Sequence, residues 1–94
     1  MTCTSLDQVR SEIERIDEQI VRLIAERGRF VAQVASFKKN ADGVRDTKRV
    51  EAVIQRVRAK AFEHGADAEM IEVLYREMIR RFVDMEMREF EGGR

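Results

Sequence analysis

The chain has 94 residues, with 18 Lys and Arg balanced by 18 Asp and Glu, one cysteine and no proline. A chain of this size makes one small domain and buries only about two-thirds of its unfolded surface, so its core is thin and a partner chain would strengthen it. The charge balance excludes the global positive field that holds a nucleic-acid polyanion, and neither a membrane span of roughly 20 apolar residues nor a signal peptide is present, which points to the cytoplasm.

Arg, Glu, Ile, Val, Met and Ala are prominent, a helix-forming vocabulary. From Leu6 onward, Val9, Ile13, Ile16, Ile20, Leu23, Phe30, Val34 and Phe37 recur at spacings of three and four, with Arg27 in one slot of the stripe. This predicts one long amphipathic helix, N-capped by Ser5 and stopped by the turn-forming NADG at 40–43. A second helix is signalled by Asp46 as N-cap and by Val50, Val53, Ile54, Val57 and Ala61, ending at Gly65. A third begins after Asp67 and carries Ile71, Leu74, Tyr75, Met78, Ile79, Phe82 and Val83 before the EGGR tail.

The first helix would be on the order of 50 Å long. A compact globule of this length has a radius of gyration near 12 Å and a diameter of roughly 30 to 35 Å. Its own chain cannot wrap such a helix. It is either a coiled-coil arm or part of an intertwined core shared by two chains; the apolar faces of the other helices favour the second. The expected fold is all-α, three helices with one very long, forming an intertwined homodimer. Residues 1–94 make a single domain, with disordered ends at about 1–5 and 91–94.

Several charges stand on apolar faces. Lys38 lies eleven residues after Arg27, which returns it to within about 20° of the same face, so Arg27, Val31, Val34 and Lys38 form one line. Glu86 shares a helical face with Phe82 and Phe90. One reading is structural: Arg27 sets helix register, Lys38 snorkels, and Glu86 pairs with one of them. The other is that all three converge on an anionic ligand. Arg10 stands seventeen residues before Arg27, about 25 Å along a straight helix. It cannot touch a small ligand held by its own Arg27, but with antiparallel long helices it would reach the partner's site; alternatively it decorates a solvated face. His64 sits in a predicted turn. There is no catalytic triad, metal-ligand spacing or phosphate-binding glycine loop, so any chemistry works by positioning and electrostatics.

The segments VRSEIERIDEQIVRLIAER (9–27), VASFKK, VRDTKRV and GADAEMIEVLYREMI resemble the small all-helical chorismate mutases of the AroQ class and their close relative, isochorismate pyruvate lyase. The resemblance covers nearly the whole chain and implies an intertwined homodimer with active sites shared between chains, a small dicarboxylate substrate, no cofactor and no metal. Arg10 resembles the arginine donated across the dimer to a substrate carboxylate. Arg27 resembles the carboxylate-binding arginine of the main subunit, and Lys38 the lysine that reaches a carboxylate and the ether oxygen. Asp46 and Arg49 match the residues beside the substrate ring. Val34, Ile79 and Val83 match the apolar walls. Glu86 falls where bacterial members usually have a glutamine that donates to the ether oxygen.

The implied activity is rearrangement of chorismate to prephenate in the shikimate pathway, toward aromatic amino acids. One C–O bond breaks as a C–C bond forms, so conformational restraint and donors aimed at the ether oxygen suffice. Bacterial mutases commonly carry a glutamate where this chain has Val50. That feature, with FK at 37–38 and RV at 49–50, looks like the lyase, which yields salicylate and pyruvate, whereas VRD at 44–46 looks like the mutases. Isochorismate and amino-substituted chorismate are the alternative substrates, and a non-catalytic helical dimerisation module is the alternative from another class. If Glu86 donates to the ether oxygen it must hold its proton, which apolar neighbours favour and Lys38 and Arg27 oppose.

Overall fold

The computed structural model describes residues 2–37 and 46–92. Among these residues there are three helices and no strand: α1 Leu6–Ala35, α2 Thr47–Glu63 and α3 Ala68–Gly92. The all-helical expectation holds. No helix among the described residues is long and apolar enough to cross a membrane.

The start of α1 is fixed by a reciprocal cap. Ser5 Oγ accepts the Gln8 N–H at 3.1 Å, while Gln8 Oε1 reaches back to accept from the Thr4 N–H at 2.7 Å. Asp7 in the first turn complements the positive end of the helix dipole. With 30 residues, α1 is about 45 Å long. It stops at Ala35, where the Phe37 N–H turns back to the Val34 carbonyl at 2.9 Å, a tightened turn that takes Phe37 out of the helix. The NADG stop at 40–43 lies outside the described residues. Along α1 the apolar stripe is open: Val9, Ile13, Ile16, Ile20, Leu23, Ile24 and Phe30 are between 40% and 61% exposed.

The other two helices form an antiparallel hairpin in which the core sits. Asp46 caps α2 as its spacing predicts. At the far end, Gly65 takes φ +74°, a left-handed conformation that costs glycine nothing, and the Ala66 N–H closes onto the Ala61 carbonyl at 2.8 Å. Two residues later Asp67 caps α3, its Oδ1 accepting the Met70 N–H at 2.9 Å. One face of α2 is buried at Val53, Ile54, Val57 and Ala61. The opposing face of α3 is half-buried at Ile71, Tyr75, Met78, Ile79, Phe82, Val83 and Glu86, and buried at Met87. Ile54, fully enclosed, is the centre of this core; truncating it to alanine would cost about 2–5 kcal/mol.

Candidate active site

The hairpin gathers one group of the expected site residues. Asp46 Oδ1 accepts the Arg49 N–H at 3.1 Å, so these two are locked together at the first turn of α2. Val50, next along, lines with Ile79 and Val83 of α3 a shallow concavity of about 210 Å³ that Arg76, Arg80 and Asp84 complete. Pockets that enclose a small ligand generally span about 300–1,000 Å³. This concavity is smaller than that range and open.

Glu86 sits one turn beyond Phe82 and Val83 on the same half-buried face. Its flanking methionines divide as the helical period requires: Met87 is buried, while Met85 is largely exposed. The carboxyl therefore lies at the margin of the apolar face, as its spacing from Phe82 implies. The side chain of Phe90, expected on the same face, lies outside the described residues.

The cationic residues are on α1. Arg27 is half-buried and Arg10 exposed, and the seventeen residues between them correspond to about 25 Å along one continuous helix. A single α1 does not bring these two arginines to one small ligand. Val31, one turn after Arg27, is half-buried, and Val34 is 49% exposed. Lys38 lies outside the described residues, as do Val44 and Arg45 of the VRD segment. His64 is the exposed C-cap of α2, its N–H bound to the Lys60 carbonyl at 3.0 Å.

Three charged residues at the concavity were not anticipated from the sequence. Arg76 donates from Nη1 and Nη2 to the two oxygens of Glu51, each at 2.8 Å, and from Nε to Glu72 at 2.8 Å. Glu72 also accepts from Arg58 at 2.7 Å. These hydrogen bonds to Arg76 hold the Glu51 and Glu72 carboxyls below their usual range, and they keep the Arg76 guanidinium firmly charged. Arg80 is bound by Glu77 and, more loosely, by Asp84 at 3.4 Å. Of these contacts, only the pairs within α3 have a sequence signal, the spacings of three and four along a helix. The Glu51–Arg76 fork joins residues 25 apart and depends on how the hairpin pairs.

Residues 9–87 match the model of a protein family described as chorismate mutase type II. The chain is 31% identical over 81 residues to an isochorismate pyruvate lyase of Pseudomonas aeruginosa, covering 86% of this chain and 80% of that protein. It is also 33% identical over 63 residues to a chorismate mutase of Methanocaldococcus jannaschii, covering 66% of this chain and 64% of that protein.

Proposed function

The chain belongs to the chorismate mutase type II family, and from that membership we propose that it rearranges chorismate to prephenate. The observation that carries the reading is the match over residues 9–87, which spans the segments holding Arg10, Arg27, Asp46, Arg49, Ile79, Val83 and Glu86. The reaction is intramolecular. It is accelerated by holding the dicarboxylate in its compact conformer and by donors at the ether oxygen, where negative charge develops.

In this reading Arg27 binds one substrate carboxylate through its planar fork, and Lys38 spans a carboxylate and the ether oxygen. Arg10 supplies a second cation from a partner chain, because its distance along α1 separates it from its own Arg27. Asp46 and Arg49 stand beside the ring, Val34, Ile79 and Val83 are apolar walls, and protonated Glu86 donates to the ether oxygen. The functional unit is a homodimer in which two α1 helices cover each other's apolar stripes. The exposure of Ile13, Ile16, Ile20 and Leu23 supports this, since monomers rarely leave so continuous an apolar surface open. The small concavity beside Val50 likewise calls for walls from elsewhere.

A second reading is supported by Val50 and by the Pseudomonas relative. An apolar residue at position 50 offers no acceptor to a ring hydroxyl there, which suits a substrate whose hydroxyl lies elsewhere. In this reading the activity is an isochorismate pyruvate lyase. Purified protein incubated with each substrate separately distinguishes the two: prephenate from chorismate supports the mutase, salicylate plus pyruvate from isochorismate supports the lyase. Consumption of neither above the uncatalysed rate leaves the non-catalytic dimerisation module. Sedimentation of the same sample tests the dimer, which a monomer at micromolar concentration would overturn.

A further inference from the structure

The core of the hairpin does not reach the start of α2. Its first buried side chain is Val53, and before it every residue from Asp46 to Ala52 is exposed except half-buried Val50. Yet this turn carries Arg49, which the proposed function sets beside the substrate ring, and Val50, which lines the concavity with Ile79 and Val83. Apolar packing alone fixes it weakly. A polar contact that ties this end of α2 to α3 is the fork between Glu51 and Arg76.

The geometry of Arg76 separates two roles it could have. Arg76 borders the same concavity as Val50, Ile79 and Val83. A cation at such a place would be a natural substrate ligand. However, each of its three nitrogens already donates to a carboxylate, two to Glu51 and one to Glu72, and Glu72 is held in turn by Arg58. Arg76 is thus committed to protein partners on both helices, with a planar geometry that defines the angle as well as the distance between them.

We propose that Glu51 and Arg76 are positioning residues: their fork holds the first turn of α2 against the Ile79–Val83 wall of α3 and so sets how tightly Arg49 and Val50 engage the substrate. This deepens the functional reading above and rests on it. An exposed ion pair ordinarily contributes little to folding stability. The effect of this one is on the alignment of a turn that the hydrophobic core leaves unsupported.

The test compares wild type with Glu51→Gln, Arg76→Gln and the double variant, with Lys60→Gln as a control at the far end of α2. Each single variant should raise KM about three- to tenfold, the size of coupling between residues in contact, with kcat within about twofold and the thermal midpoint nearly unchanged. The double variant should be no worse than the worse single, because either change opens the same fork. Additive KM effects, or a KM equal to that of wild type and Lys60→Gln, would overturn the proposal. Amide exchange supplies a readout that does not need turnover: exchange at residues 50–53 should quicken several-fold in Glu51→Gln while residues 57–61 keep their rates. If wild type consumes neither substrate, the functional reading fails, and unchanged exchange at 50–53 then overturns the clamp separately.

Discussion

Asp46 and Arg49 are joined by a cap: the carboxylate of the first accepts the backbone N–H of the second at 3.1 Å. Two residues assigned to the substrate site thus also define where α2 begins. Asp46→Ala should lower stability by about 1 kcal/mol, the usual size of a lost N-cap, and weaken substrate binding together with it. Asp46→Asn, which keeps the accepting oxygen, should retain stability in thermal denaturation. Equal losses in the two variants would show that the cap is not what Asp46 contributes.

Arg27 interrupts the apolar stripe of α1 and is half-buried. If it binds a substrate carboxylate, Arg27→Ala should lower kcat/KM by about a hundredfold or more, with helical content and sedimentation unchanged. Dissociation of the oligomer in this variant would instead identify Arg27 as a residue that sets helix register.

Glu86 must be protonated to donate to an ether oxygen. If Glu86 has the proposed role, activity should fall as rising pH removes its proton. Glu86→Gln, which donates at every pH, should flatten the profile. A pH–rate curve that keeps its shape in Glu86→Gln removes this residue from the reaction.

Glu77 accepts from both Arg80 and Arg81 on the surface of α3, and these hydrogen bonds lower its pKa from 4.5 to about 2. A carboxyl depressed in the folded state adds stability that is present above its unfolded pKa and is lost as pH falls through the folded value. The stability difference between wild type and Glu77→Gln should hold above about pH 5 and vanish toward pH 2, and it should be small and sensitive to salt, because the group is exposed. Carboxyl chemical shifts followed by NMR read the titration directly; a midpoint near 4.5 would show that the pairs do not persist in solution.

Helix identity was legible because it depends on local order. The three-and-four spacing of apolar residues, the capping residues Ser5, Asp46 and Asp67 and the left-handed Gly65 are each decided within a few positions of the chain. The same periodicity placed Glu86 on the face of Phe82, and Arg27 within the apolar line of α1. The end of α1 was less legible. Apolar spacing runs on to Phe37, but whether the backbone follows depends on a turn that closes onto Val34.

The Glu51–Arg76 fork and the meeting of Val50 with Ile79 and Val83 could not be read along the chain. They depend on the register in which two helices pair, and that register follows from burying Val53, Ile54, Val57 and Ala61 against α3. Periodicity states which face of a helix is apolar; it carries no information on which residue of another helix stands opposite. Local chemistry along the chain was enough for three amphipathic helices and for charges placed within their apolar faces. How the carboxylates and arginines of the α2–α3 hairpin are matched was settled by packing, since electrostatic pairs at the surface take the geometry that buried side chains impose.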